Sequence, residues 1–391
     1  MFATRLTRLN PGMRGALYYL VYWGTGGLYM PFVNVHFRHL GFSGSQISML
    51  SVLFPIAALL VAPPLTSLAD RRTWRVRMLT LSLVIVGFVL VSLAFPTQFW
   101  PVLLLMAALA ASRCLVAPIG DSLVLRMAAR HNVAYGKLRL WGSFSFALIA
   151  MIFGAVWEQI GFAPMFIIAG LLCLPTAFTA SLLEEVPTPP RQASEPVSIN
   201  WIWRDFGLMT ILTASFLIGG ALNMAVNFEG VYMDVLGGSE VYVGLIFAIS
   251  AFSEMPAMFL GETLVRRLGS TQTLLLSYGL MFVGYLGYTF ATAPWMLLVL
   301  AIFKGMGFGL YFTSTVRLLD SRVSPAQAAT IQGVMNATSG GLAPLIAGPI
   351  SGLIFDGLGP HTLYLTATIL IAIAAAVLLS GSWRSQRQQS S

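Results

Sequence analysis

Twelve apolar segments, each roughly twenty residues or more in length, follow one another along this chain of 391 residues. The hydrocarbon core of a bilayer is about 30 Å thick, and a helix needs roughly 20 apolar residues to cross it. A composition of 57% apolar and 9% charged residues is more apolar than a water-soluble protein of this size can bury. The sequence therefore predicts a polytopic membrane protein with segments near 14–37, 46–68, 76–95, 100–125, 139–160, 163–183, 206–233, 241–263, 272–291, 294–318, 327–355 and 362–381.

The positions of the basic residues predict the topology, and they argue against a nucleic-acid partner for a chain of net charge +8. With the N-terminus inside, Arg38 lies in an outer loop, and Arg113 and Lys304 lie within apolar segments. The other nineteen of the 22 Lys and Arg lie in inner loops or at the termini. The positive-inside rule then places both termini in the cytoplasm, and we expect a bacterial inner membrane. Cys114 and Cys173 lie in apolar segments without metal-site spacing, so we expect neither a disulfide nor a metal.

A polar segment rich in proline divides the twelve segments into six and six. It runs from Glu184 to Arg204, and its composition is typical of a flexible linker. We therefore expect an N-terminal bundle over 1–183, a cytoplasmic linker over 184–204 and a C-terminal bundle over 205–391. Many secondary transporters are built from such repeats, with the substrate site near mid-membrane between the halves.

The loop after the second segment resembles the signature Gly-x-Leu-Ala-Asp-Arg-x-Gly-Arg-Lys of the major facilitator superfamily. The stretch 68–71 and Arg75 are in register, whereas Thr66 and Thr73 replace the two glycines and Trp74 stands at a basic position. Three further stretches, 135–143, 253–256 and 329–333, resemble those of the phenylpropionate permease branch, which is related to the lactose permease and nucleoside permease groups. The resemblance implies an all-α integral membrane protein of twelve transmembrane helices, arranged as two six-helix bundles that work by alternating access. It implies no cofactor.

In this superfamily the same loop forms an inner gate. The resemblance assigns that role to Asp70, Arg71, Arg72 and Arg75. A carboxylate at the inner surface can stabilise the positive N-terminus of a facing helix, for which we expect segment 11. The simpler interpretation is a basic loop that only determines topology.

Five ionisable residues lie within apolar segments, where an insertion cost of roughly 2.5–3.5 kcal/mol per charge demands a partner or a function. At about 1.5 Å per residue, Arg113, Glu254 and Lys304 lie about 15–18 Å into their segments, near the midplane. Segments 4 and 10, which carry the two cations, line the central cavity in the superfamily. Arg113 also matches the superfamily's segment-4 arginine. Two cations facing one cavity would suit a small carboxylate, while the alternative is an internal ion pair such as Arg113 with Glu254.

Three carboxylates are candidates for proton coupling. Glu254 is the first candidate, because burial and a nearby cation act in opposite directions on a carboxyl group that could load and release a proton. The alternative is a structural glutamate beside Pro256. Asp121 lies near the inner surface and is a possible second relay. Glu229 lies near the outer end of segment 7, about 200° around the helix from Asn227.

Polar and aromatic side chains form stripes at helical spacing on segments 1, 7 and 10. Tyr18, Tyr22, Thr25 and Tyr29 share one face of segment 1. Segment 10 repeats the pattern with Lys304, Phe308, Tyr311 and Thr315, and Asn223 and Asn227 share a face of segment 7. Aromatic side chains beside a cationic side chain would suit a substrate that has an aryl ring and a carboxylate. Tyrosines packed between helices or placed in an interfacial belt are the alternative.

We therefore expect a secondary active transporter, with proton-coupled uptake of a small organic acid as the first hypothesis. Proton-driven efflux of a drug or sugar, or uptake of a nucleoside or sugar, is the alternative. Its partners would be a small-molecule substrate, protons and the bilayer, and we expect a monomer. A membrane enzyme is not expected, because His36, His39, His131 and His361 lie at segment ends or in loops without clustering. A channel would be distinguished by its lack of saturable, gradient-coupled flux.

Overall fold

The computed structural model describes residues 10–186 and 200–389, and the elements in this part of the chain are helices without strands. Most of the predicted linker, and the basic residues Arg5, Arg8 and Arg191, lie outside the described residues. All twelve predicted segments form helices. They are α1 (Pro11–Tyr29, continued by Val33–His39), α2 (Gly44–Leu60 and Ala62–Arg72), α3 (Arg75–Leu93), α4 (Phe99–Arg113 and Val116–Arg130), α5 (Tyr135–Ile160), α6 (Met165–Ser181), α7 (Phe206–Val235), α8 (Glu240–Leu268), α9 (Ser270–Thr289) and α10 (Pro294–Asp320).

The last two segments form the helical elements Pro325–Asn336, Ala337–Leu342 and Ala343–Gln389. Gly359 has a φ of 81° and breaks the third of these, so that α11 ends and α12 begins there. By length and hydropathy, seven described helical stretches are apolar enough to cross a bilayer, or eight if the bent α2 counts as one span. One of the seven, Gln327–Gly381, contains parts of both α11 and α12. The all-α membrane architecture predicted from the sequence is confirmed.

Local sequence explains where the helices begin. Asn10 caps α1, where its side chain accepts a hydrogen bond from the Gly12 amide at 3.1 Å. Asp205 caps α7 in the same way through the Leu208 amide. Ser324 and Gln327 form a capping box at the start of α11. Each cap satisfies amide groups that the first turn of a helix leaves without an intrahelical partner.

Several helices are interrupted within the predicted membrane span. Helix α2 bends by 42° at Val61, just before Pro63 and Pro64. Helix α4 breaks after Arg113, since Pro118 has no amide hydrogen to donate to the carbonyl of residue 114. Helix α11 contains a π-helical stretch, Ala337–Leu342, of a kind that often occurs at functional sites. Breaks of this kind occur in transporters where backbone lines a cavity or is buried in protein.

The helices pack into two compact units. The first contains the described chain up to Phe42, the chain from Ile56 past the end of α6, and Ser239–Ala248. The second contains Ser43–Pro55, the α7 region up to Gly238 and the chain from Ile249 onward. The first part of α2 therefore packs within the second unit, and the first part of α8 within the first.

Close backbone approach holds each unit together. In the first unit, a Cβ atom on Gly27 of α1 would lie 2.5 Å from the Phe146 carbonyl oxygen of α5. In the second, a Cβ on Gly219 of α7 would overlap the Ser339 carbonyl oxygen in the π-helical stretch. Small residues at such positions allow helices to pack backbone to backbone in a membrane, where lipid gives no hydrophobic drive for association.

Candidate functional site

The break in α4 positions Arg113 against α1 in the first unit. One guanidinium nitrogen lies 3.2 Å from the Met30 sulfur, and the guanidinium carbon lies 5.9 Å from the centre of the Tyr29 ring. Tyr22 is also close enough to interact electrostatically with the guanidinium. The arginine is held by a cation–π contact with the Tyr29 ring and by electrostatic interaction with Tyr22, and its planar group presents hydrogen-bond donors in fixed directions.

A small cavity adjoins this arginine. Its volume is about 20 Å³, room for about one water molecule. Tyr22, Thr25 and Tyr29 line it from α1, and Cys173 and Thr176 line it from α6. The hydroxyls of Thr25 and Thr176 lie 3.2 Å apart. The predicted face of segment 1 is thus present, and three of its four members surround Arg113. The fourth, Tyr18, is 1% exposed and stacks on Tyr22 at 5.7 Å with parallel rings.

Asp121 lies on the second part of α4 within a separate hydrogen-bonded cluster. The Tyr19 hydroxyl donates to its Oδ1 at 2.6 Å, and the Tyr19 and Tyr135 hydroxyls are 3.0 Å apart. The Arg139 guanidinium lies over the rings of both Tyr19 and Trp23, at 5.3 and 4.6 Å. Sequence analysis named Asp121 but missed Tyr19 and Tyr135. Tyr19 lies on the neighbouring face of α1, and Tyr135 opens a stretch noted only for its family resemblance.

In the second unit, Lys304 of α10 is paired with Glu229 of α7. The lysine Nζ lies 2.5 and 2.6 Å from the two carboxylate oxygens, and the residues are 5% and 1% exposed. The Tyr288 hydroxyl of α9 donates to the same carboxylate at 2.7 Å. Tyr285 and Tyr364 are also close enough to interact with this carboxylate. Sequence analysis placed Glu229 away from the Asn223–Asn227 face and did not foresee this pairing.

The remaining polar residues of the predicted site lie elsewhere in the second unit. The Asn227 side chain donates to the Asn223 side chain at 3.2 Å, and Asn223 lies beside Gly348 of α11. Tyr311 is 8% exposed and lies 6.2 Å from Tyr278 and 6.4 Å from Phe308, ring centre to ring centre. Glu254 of α8 is half-buried, and its carbonyl oxygen lies against Gly309 of α10.

The predicted gate residues are joined by an ion pair within the first unit. Arg75 Nε lies 2.6 Å from Asp70 Oδ1, and Arg75 is 2% exposed. The side chain of Glu185 accepts hydrogen bonds from the Arg75 and Val76 amides at 3.2 and 2.8 Å, and so caps the N-terminus of α3. Arg72 lies over the Trp74 ring at 4.9 Å. Interaction of Asp70 with α11 stays a prediction, as does the gating role of Arg71.

Comparison with known proteins decides the family. A profile described as the MFS_1 like family matches residues 13–366. The chain belongs to this family. The maltose permease of Geobacillus stearothermophilus is 26% identical over 363 residues, which cover 93% of this chain and 92% of the relative. A probable 3-phenylpropionic acid transporter of Escherichia coli is 25% identical over 386 residues, with 93% and 96% coverage.

Solved structures agree on the fold of this MFS_1-like protein. The crystal structure of the nucleoside transporter NupG matches with a TM-score of 0.81 at 15% identity, covering 96% of this chain and 98% of that one. The predicted major facilitator fold and the resemblance to a phenylpropionate permease are therefore confirmed. The protein is a multi-pass membrane transporter of the major facilitator superfamily.

Proposed function

We propose that this transporter catalyses proton-coupled uptake of a small organic acid, most suitably an aromatic monocarboxylate. The observation that carries the proposal is Arg113 at the break of α4, beside the phenol rings of Tyr22 and Tyr29. A guanidinium can hold a carboxylate by two parallel hydrogen bonds, and the rings supply flat apolar contact to an aryl group.

Lys304 would take part in the transport cycle through its ion-pair partner, Glu229. In this structure Glu229 holds it at 2.5 and 2.6 Å, so an anion would have to compete with a buried carboxylate for the ammonium group. A proton arriving at Glu229 would neutralise that carboxylate and leave Lys304 available to a substrate anion. Proton binding and anion binding would then favour each other, which is the linkage that symport requires.

Glu254 is the first candidate for the carboxylate that carries the proton across the membrane, with Asp121 and Glu229 as further members of the pathway. These carboxylates differ in the hydrogen bonds that they accept. Tyr19 donates to Asp121, while Glu229 accepts from both Tyr288 and Lys304. Glu229 is therefore held by one charged and one neutral donor, and Asp121 by a single neutral donor.

Uptake of a sugar or nucleoside is the second candidate function. It is favoured by the likeness to a maltose permease and by the amide pair of Asn223 and Asn227, which could bind neutral hydroxyl groups. Efflux of a drug or sugar would use the same architecture in the reverse direction. A neutral ligand would make no use of the charge of Arg113.

A binding panel on purified protein tests the proposal. Thermal shift and isothermal calorimetry would compare 3-phenylpropionate, maltose, uridine and a cationic drug. We expect saturable binding of the acid, loss of that binding in Arg113→Ala, and no recovery in Arg113→Lys, since a lysine is a point charge without the planar fork. Arg38→Gln, at an exposed arginine, is the matched control. The anion site would be disproved if the best ligand is neutral or cationic and binds Arg113→Ala with the same affinity as the wild type.

We further propose that the protein is a monomer in the bacterial inner membrane with both termini in the cytoplasm. The cytoplasmic position of the termini is supported by the distribution of Lys and Arg, since nineteen of 22 lie on one side of the predicted spans. In this topology Asp70, Arg75 and Tyr135 lie toward the cytoplasm, and the junction of α9 and α10 lies toward the outside.

A further inference from the structure

We propose that Tyr135, Tyr19 and Asp121 form a proton relay between the inner aqueous side and the Arg113 region of the first unit. The proposal rests on the proposed proton coupling and topology, and it assigns roles to two tyrosines that sequence analysis passed over. The three side chains come from α5, α1 and α4 and are consecutive partners in one hydrogen-bonded chain.

The direction of this chain follows from counting protons. Tyr19 has one hydroxyl hydrogen and donates it to Asp121 Oδ1 at 2.6 Å. In the 3.0 Å contact between the two hydroxyls, Tyr19 must therefore accept and Tyr135 must donate. The chain runs from Tyr135 at the start of α5, through Tyr19 of α1, to Asp121 of α4.

Burial differs along the chain, with the middle member enclosed and the two end members half-buried. Tyr19 is 0% exposed, so water does not reach its hydroxyl directly. Tyr135 is the first residue of α5 and is half-buried, as is Asp121. The outermost member can thus exchange with water near the inner surface, while the middle member transfers protons only between its two partners.

The proton transfer from water to Asp121 leaves both phenols neutral before and after it. Water gives a proton to the Tyr135 oxygen as Tyr135 passes its own proton to Tyr19, and Tyr19 passes its proton to the Asp121 carboxylate. Three O–H bonds break and three form, the carboxylate becomes a carboxyl group, and the water is left as hydroxide or takes a proton from hydronium. The reverse sequence returns the proton to the inner solution.

Among the described residues, the titratable and charged groups that interact with the Asp121 cluster from other helices come from α1 and α5. From α1 they are Tyr19, Tyr18 and Tyr22, the last two acting at longer range. From α5 they are Tyr135 and Arg139, and Arg139 holds the Tyr19 ring through a cation–π contact. The Arg139 cation therefore fixes the middle ring of the chain.

The relay reaches the candidate substrate site through neighbouring side chains of α1. Tyr18 and Tyr22 stack at 5.7 Å, and Tyr22 lies beside Arg113. Asp121 follows Arg113 by eight residues on α4, across the break after Arg113. A change of charge at Asp121 would therefore be felt at the guanidinium that is proposed to bind the substrate carboxylate.

Proteoliposomes containing a pH-sensitive dye test the relay. An inward gradient of 3-phenylpropionate should drive protons inward in the wild type. Tyr135→Phe and Tyr19→Phe keep the rings and remove one hydroxyl each, and we expect them to slow coupled uptake by on the order of a hundredfold. Exchange of labelled for unlabelled acid should continue near the wild-type rate, because exchange needs no net proton release. Tyr242→Phe, at the start of α8, is the matched control and should behave as the wild type.

The outcomes separate the relay from the proposed function. Wild type that takes up the acid without moving protons would overturn proton coupling, and the relay with it. In another outcome, the wild type moves protons while Tyr135→Phe and Tyr19→Phe accumulate the acid at the wild-type rate and with the wild-type pH profile. That result would overturn the relay and leave proton coupling intact. Asp121→Glu provides a further check, because it should recover part of the uptake that Asp121→Asn loses. Equal loss in both would contradict a proton-carrying role.

Discussion

The buried pair of Lys304 and Glu229 allows a prediction whose magnitude can be worked out from the structure. Lys304→Met removes the cation and leaves the Glu229 carboxylate, which is 1% exposed, with the Tyr288 hydroxyl as its remaining described donor. Glu229→Gln does the reverse and leaves the ammonium group without its carboxylate. Removing one member of a buried ion pair typically costs about 3–5 kcal/mol, because the other charge is left in a medium of low dielectric constant.

The cost of neutralising the remaining group gives a separate upper limit of similar magnitude on the loss of stability. The cost cannot exceed that of neutralising the remaining group. From ordinary pKa values this is about 3.7 kcal/mol at pH 7 for a carboxyl and about 4.6 kcal/mol for a lysine. The two single variants should therefore lose a similar amount of stability at pH 7.

Thermal unfolding of the detergent-purified variants at pH 7 measures this effect. For a body of about 150–250 residues, 1 kcal/mol shifts Tm by roughly 2–4 °C, so each single variant should melt roughly 6–20 °C below the wild type at pH 7. The double variant, with Glu229→Gln and Lys304→Met together, should recover most of this loss, since neither charge remains buried. Single variants that melt within about 2 °C of the wild type would contradict a large contribution of the buried pair to stability.

Three further predictions follow from the same structure. Glu254→Gln should still bind and exchange substrate but fail to accumulate it, and Asp121→Asn should lose less of the accumulation. Accumulation by Glu254→Gln at the wild-type level would show that another group carries the proton. Cysteine tags at Ser194 and Ser390, which lie outside the described residues, should react from the cytoplasm and a tag at Ser239 from outside; labelling of Ser194 from outside would contradict the topology. Gly219→Ala should destabilise the protein by about 1–3 kcal/mol, because its Cβ would meet the Ser339 backbone, whereas Gly333→Ala, with open space around it, should not.

Local signals in the sequence determined most of the secondary structure. Each of the twelve apolar stretches forms helix, because length and hydropathy act within one segment and do not depend on what packs against it. The break of α4 follows from Pro118 and the bend of α2 from Pro63 and Pro64, since proline acts on its own backbone. The shared face of Tyr22, Thr25 and Tyr29 also follows from the 3.6-residue period alone.

The partners of the buried charges were decided by tertiary structure. Glu229 and Lys304 are 75 residues apart, Tyr19 and Asp121 are 102 residues apart, and Glu185 caps a helix that begins 110 residues earlier. A helical period shows which side chains share a face, but it does not show how far each helix is rotated about its axis toward its neighbours. That rotation is set by side-chain packing and by contacts such as Gly219 against the π-helical stretch of α11. Intrahelical periodicity therefore predicts the stripe beside Arg113, whereas the Lys304–Glu229 pair and the Tyr135–Tyr19–Asp121 chain exist only once the helices are packed.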